Sequence, residues 1–105
     1  MLLDKLPVPA LKQELQELLG SRFSGMTLFG SYARGDERAD SDVDLLLVVT
    51  HTLPYLDDMV LIIPIISRYL LEYGIMFSLI IKTEEELTWQ NEGLMRNIEI
   101  EGVPL

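Results

Sequence analysis

Residues 43–50, Val-Asp-Leu-Leu-Leu-Val-Val-Thr, are a nearly continuous run of Val and Leu, and two alternating acids, Asp42 and Asp44, stand at its mouth. A run with that β-branched content predicts a strand. Upstream, Met26-Thr27-Leu28-Phe29 is a shorter run of the same kind that breaks at Gly30-Ser31. The polar stretch from Ser31 to Asp42 carries Gly35, Arg34, Arg38 and several acids, and it reads as a turn or short helix at the edge of a sheet.

Helical spacing surrounds these strands. Leu11, Leu15, Leu18 and Leu19 are separated by Lys12, Glu14 and Glu17, with Pro9 near the start and Gly20 at the end, which predicts an amphipathic helix. Tyr55 to Glu72 has Asp57 and Asp58 at its head and Gly74 just past its end, and predicts a second helix, bent at Pro64. Its centre, Met59 to Ile66, is apolar nearly all round, so one face is expected against the sheet and another against a partner; a buried strand is the competing reading of this stretch. Ile75 to Lys82 predicts a third strand, and Thr83 followed by Glu86 is a capping box for a last helix through about Ile98, ended by Gly102. The order is α-β-β-α-β-α, an α/β (α+β) arrangement of one small sheet flanked by helices.

With 105 residues the chain is expected to form one domain over 1–105, since a chain of this size supports one core and not two. Acids outnumber bases 17 to 8, for a net charge of −9. Direct binding of nucleic acid is therefore not expected, because neutralising phosphates takes clustered Lys and Arg. The chain has no cysteine, which removes disulfides, thiol nucleophiles and thiolate metal sites and suits a reducing compartment. Its start carries no basic segment ahead of an apolar core, and its longest apolar run is far short of the roughly 20 residues that cross a membrane. The expectation is a cytoplasmic protein.

On a strand, residues i and i+2 share a face, so Asp42 and Asp44 present two carboxylates side by side. Such a pair repels itself unless a cation lies between, and hard oxygen donors suit Mg²⁺ completed by water and substrate phosphates. Gly30 lets backbone N–H groups approach a phosphate and Ser31 offers a hydroxyl beside it. A phosphate-holding turn with a metal-holding strand is the minimum for phosphoryl or nucleotidyl transfer.

Gly-Ser, ten residues, then Asp-x-Asp resembles the DNA polymerase β superfamily of nucleotidyltransferases, and the extended pattern, GSYARG with DSDVDLLLVV, resembles its minimal nucleotidyltransferase group. The resemblance implies that Gly30 and Ser31 contact the phosphates of ATP or another NTP, that Asp42 and Asp44 bind Mg²⁺, and that Arg34 lies near a phosphate while Gly35 shapes the crossover. It also implies NMP transfer to a hydroxyl of a partner protein, with a helical HEPN-domain toxin as the partner and this chain as its antitoxin. A chain this short carries no acceptor-binding domain, so a partner or a homo-oligomer is expected to complete the site. A small-molecule acceptor of the aminoglycoside kind is a weaker implication of the same resemblance.

Competent members of that superfamily carry a third carboxylate on a neighbouring strand. The corresponding stretch here, Gly74 to Ile81, has no acid, and Ser78 stands where the third carboxylate belongs. A serine hydroxyl is a weak base and a poor Mg²⁺ ligand. Glu72, Asp57, Asp58 or a partner chain could supply the missing group, and a catalytically degenerate binding subunit is the alternative function. Arg38 is expected to be solvated among acids, and His51, the lone histidine, to be a loop residue. Trp89, Leu94 and Met95 are expected to pack a core or a partner, and Glu84-Glu85-Glu86 to be the acidic start of a helix.

Overall fold

A computed structural model of the chain describes residues 6–89 and 93–105. In order, the elements are α1 (Val8–Leu19), β1 (Phe23–Phe29), α2 (Ser31–Arg34), β2 (Val43–Val49), α3 (Asp58–Tyr73), β3 (Phe77–Thr83), α4 (Glu84–Trp89), α5 (Gly93–Glu101) and β4 (Val103–Pro104). The strands form one mixed sheet in the order β3-β2-β1-β4. β2 pairs antiparallel with β1 and parallel with β3.

The nearly continuous Val and Leu run of β2 follows from its place inside this sheet, between β1 and β3. Alternate residues of a strand face opposite sides, and both sides are covered here. Val43, Leu45, Leu47 and Val49 face a core built with Leu11 and Leu15 of α1 and Ile62, Ile66 and Tyr69 of α3. Leu46 and Val48 face a smaller core with Phe29 of β1 and Met95 and Ile98 of α5. Met95 therefore packs the core as expected, whereas the side chains of Trp89 and Leu94 lie outside the described residues. Leu45 and Leu47 are fully buried, and each such side chain stabilises the fold by about 1.5–3 kcal/mol relative to exposure.

Helix α3 settles the ambiguous stretch Met59 to Ile66 as helix, with Ile62, Ile66 and Tyr69 buried at helical spacing. It begins three residues later than Tyr55, because the Asp57 carboxylate accepts from Met59 N–H at 2.9 Å and fixes the first turn there. Its buried head, Asp58, is held by Arg22 in two hydrogen bonds of 2.8 and 3.0 Å, and Arg22 also donates to the His51 carbonyl. Tyr69 donates to Glu14 of α1, which also pairs with Arg68.

The C-terminal third departs most from expectation. The capping box is present, with Glu86 N–H on Thr83 Oγ1 at 3.1 Å and Thr83 N–H on Glu86 Oε1 at 3.0 Å. Instead of one helix through Ile98 it opens the short α4, and α5 follows beyond residue 92. Gly102 closes α5 through its N–H on the Ile98 carbonyl at 2.8 Å, in a space where a Cβ would overlap that carbonyl and the Thr27 methyl. The chain then adds β4 to the open edge of β1, pairing Val103 with Leu28.

Candidate functional site

The site lies where β1 ends and β2 begins. Phe29 and Asp44 are paired across the two strands, which brings Gly30 over the Asp44 side chain. Gly30 has φ +76°, and a Cβ built on it would overlap the Asp44 carboxylate and lie 3.0 Å from its Cγ. Only glycine satisfies both the backbone and the contact. Ser31 then opens α2, a single turn held by Arg34 N–H on Gly30 O at 3.1 Å and closed by Gly35 in the left-handed conformation at φ +80°.

Asp42 is exposed just ahead of β2, and Asp44 is half-buried at its start. Burial pushes the Asp44 carboxyl above the ordinary aspartate range, Asp42 raises it further, and Arg34 partly offsets both. Asp42, Asp44 and Arg34 are thus within electrostatic reach of one another. The turn that leads into β2 is fixed by Ser41, whose Oγ accepts from Arg38 N–H at 2.8 Å. Arg38 itself is exposed, in keeping with the solvated reading.

Arg34 has a partner that sequence reasoning missed. It reaches Asp36 at 3.3 Å and Glu101, at the end of α5, at 3.1 Å. These carboxylates hold its guanidinium above its ordinary range, Asp36 chiefly. Glu101 was legible only as the end of a helix, since its partner is 67 residues away.

The acids considered as replacements for a third carboxylate are engaged elsewhere. Asp57 caps α3. Asp58 is buried against Arg22, beside the pairing of Phe23 with Val49 and so at the opposite end of β2 from Asp44. Glu72 faces Arg68 on its own helix at 3.9 Å. His51 is at that far end too, its ring next to the Thr50 hydroxyl. Ser78 is the residue directly beside Asp44 on β3. Among the described residues no cluster of three or more His, Cys, Asp or Glu side chains is placed to hold a metal ion.

Two neighbouring carboxylates, one of them raised by burial and by the other, are nonetheless the donor type for a hard divalent cation whose remaining positions are filled by water or phosphate oxygens. The place that a side chain on residue 30 would take is filled by the Asp44 carboxylate itself, so the glycine is what lets that carboxylate lie against the turn.

Comparison with known proteins gives the chain's family. Residues 8–102 match the family model described as a nucleotidyltransferase domain. A candidate protein adenylyltransferase of Methanocaldococcus jannaschii is 44% identical over 70 residues, covering 67% of this chain and 70% of that protein. A second from the same organism is 34% identical over 95 residues, 86% of this chain and 89% of the relative. A spectinomycin 9-adenylyltransferase of Staphylococcus aureus is 50% identical over 42 residues, which span 40% of this chain and 16% of that enzyme. Among solved structures, a toxin-antitoxin crystallised with AMP-PNP shares the fold at TM-score 0.61 and 17% identity, over 90% of this chain and 69% of that one. A nucleotidyltransferase structure from Sulfolobus solfataricus does so at TM-score 0.50 and 22% identity, over 90% and 76%. With a family model matched over nearly its whole length and a 34% identical relative covered almost end to end, the chain belongs to the nucleotidyltransferase domain family.

Proposed function

We propose that residues 1–105 act as one minimal nucleotidyltransferase domain that binds ATP or another NTP with Mg²⁺ and transfers NMP to a hydroxyl of a partner protein. The observation that carries this reading is the contact of Gly30 with Asp44, in which a side-chain-free turn meets one of the two carboxylates. Asp42 and Asp44 would hold the metal, whose charge offsets that of the triphosphate. Gly30 and Ser31 offer the phosphates a close backbone approach and a hydroxyl, and Arg34 adds a positive charge beside them. In the transfer the acceptor oxygen bonds to the α-phosphorus, the bond to the bridging oxygen breaks, and pyrophosphate leaves.

A protein acceptor is supported by the relatives that cover most of the chain, which are named for adenylylating proteins. Two of the fold neighbours are toxin-antitoxin structures, and the partner proposed here is a HEPN-domain toxin in the same cytoplasm, with this chain as antitoxin. Among the described residues no helix is long and apolar enough to cross a membrane.

A second reading rests on Ser78. It stands beside Asp44 in place of an acid, and its hydroxyl is a weak base for an attacking oxygen. In that reading the chain binds nucleotide, or only its partner, and neutralises it by contact.

Calorimetric titration of ATP into the purified chain, with and without Mg²⁺, tests the site. Metal-dependent binding that disappears in Asp42→Asn/Asp44→Asn is the expected result, and no binding by the wild type would overturn it. Radiolabelled AMP on a co-expressed partner, lost in Asp44→Asn, then separates the enzyme from the contact inhibitor.

A further inference from the structure

The sheet ends on β3, and among the described residues its outer edge carries no partner strand. The Met76 carbonyl accepts from Val43 N–H at 2.9 Å, and the parallel register continues Phe77 beside Val43 and Leu79 beside Leu45. In such a ladder alternate residues turn their backbone groups to the neighbour, so Phe77, Leu79 and Ile81 present theirs outward. This seven-residue edge is apolar and has none of the usual protections except one lysine, Lys82.

The surface beside the edge is apolar as well. Ile63 and Val60 of α3 are 51% and 59% exposed, and Met76 is 41% exposed. Ile63, Ile66, Met76, Phe77 and Leu79 line one groove of about 340 Å³ that reaches Asp42 and Ser78. Helix stripe and strand edge are therefore continuous, and any occupant that pairs with the strand also meets the helix.

We infer that two copies of this chain join antiparallel along β3 about a two-fold at Ile80, and that Lys82 of each copy reaches the Asp42 and Asp44 carboxylates of the other. The strand is self-complementary in this arrangement. Its outward-facing residues Leu79 and Ile81 pair with each other, and Ser78 meets Lys82 on the face that carries Asp44. With strands about 4.8 Å apart, the second copy's Lys82 stands two strands, about 10 Å between Cα atoms, from Asp44. The small Ser78 side chain lies between them, and the lysine stem can extend across it.

Lys82 calls for an occupant that sets carboxylates against it, and a second copy does so by symmetry with its own Asp42 and Asp44. The chain carries −9 in all, whereas the strand from Phe77 to Thr83 carries only the positive Lys82. Most of the surface of two copies repels, and this edge instead sets a cation of one against the carboxylate pair of the other. Within its own chain Lys82 is only 3.9 Å from Glu86, a long contact that an opposing carboxylate pair can displace. The effect of Lys82 on nucleotide affinity rests on the function proposed above, but the two-fold itself does not.

The chain has no cysteine, so Ser78→Cys and Lys82→Cys chains can be prepared separately, mixed and oxidised. Opposed positions of a non-hydrogen-bonded antiparallel pair are close enough for a disulfide. The mixture is expected to give a covalent dimer that neither variant gives alone. Sedimentation of the wild type should report a dimer, and Ile63→Glu, an exposed change, should give a monomer with unchanged circular dichroism. Lys82→Ala should tighten Mg-ATP binding about tenfold, the size of one charge-assisted contact, because the ammonium and Mg²⁺ compete for the same two carboxylates. A monomeric wild type without cross-linking overturns the proposal, and this includes the case in which a strand of another protein takes the edge. Cross-linking with unchanged affinity in Lys82→Ala overturns the shared site. Cross-linking in a chain that binds no nucleotide supports the two-fold and counts against the nucleotide reading alone.

Discussion

Gly30 and Asp44 occupy one volume: the glycine has no side chain where the aspartate's carboxylate sits, and its backbone is turned to φ +76° to make that approach. The turn after β1 and the head of β2 are therefore one unit, and what disturbs one moves the other.

Gly30→Ala tests this directly. The added methyl meets both an unfavourable backbone conformation and the Asp44 carboxylate, so it should lower stability by about 1–3 kcal/mol. Nucleotide affinity should fall by more than tenfold. Denaturant unfolding and calorimetry on the same preparation check both, and a variant that binds as wild type would remove Gly30 from the site.

The Arg22–Asp58 pair allows stability to be changed without touching the site. Asp58 is 4% exposed, and it is gripped through two guanidinium nitrogens. Asp58→Ala leaves a largely buried guanidinium without its counter-charge and should cost about 3 kcal/mol or more. Below the unfolding transition its nucleotide affinity should match the wild type, since the pair lies at the far end of β2 from Asp44. Urea titration and calorimetry together check the separation.

Tyr69 gives an alkaline signature. Burial and the Glu14 carboxylate that its hydroxyl faces push its pKa up to about 12, with Arg68 opposing them. Above the ordinary tyrosine pKa the unfolded chain releases this proton while the folded chain keeps it. Stability is then complete below about pH 10 and falls as pH rises toward the folded value. Ultraviolet titration should show one tyrosine ionising near pH 12, and Tyr69→Phe should remove that step.

What could be read from residues alone was set by the range of the interactions involved. The three long strands and the candidate site's carboxylates at the head of one of them were legible because strand alternation and burial are local patterns, most strongly so in Val43–Val49. The capping box of Thr83 and Glu86 was legible for the same reason. β4 was not: two residues, one of them Pro104, give no periodicity, and they become a strand only because Gly102 turns them onto β1. Glu101 on Arg34 and Asp58 on Arg22 were equally invisible, since each acid reads as an ordinary helix-end charge until the fold supplies a partner far away in sequence. Which residue of Gly74–Ile81 stands beside Asp44 depends on strand register, and the parallel pairing gives that place to Ser78.

Asp44 itself should oppose the fold it serves. Its carboxyl is raised in the folded chain by burial first and by Asp42 second, with Arg34 offsetting part. For an acid raised on folding, the unfolded chain ionises at lower pH than the folded one, so stability falls as pH rises through the window between the two values and stays reduced at pH 7. Asp44→Asn removes this cost and should stabilise the metal-free protein at neutral pH by about 0.5 kcal/mol, a small effect because the group is only partly buried. Below the ordinary aspartate range, where both states are protonated, the difference should vanish. Adding Mg²⁺ with ATP should reverse the ranking, because ligand binding stabilises the wild type by mass action and not a chain that has lost the site. Thermal unfolding of both chains at neutral and acidic pH, with and without Mg-ATP, reads all of these outcomes. A wild type that is the more stable in the absence of ligand would show that Asp44 is held by contacts that outweigh its burial and the charge of Asp42.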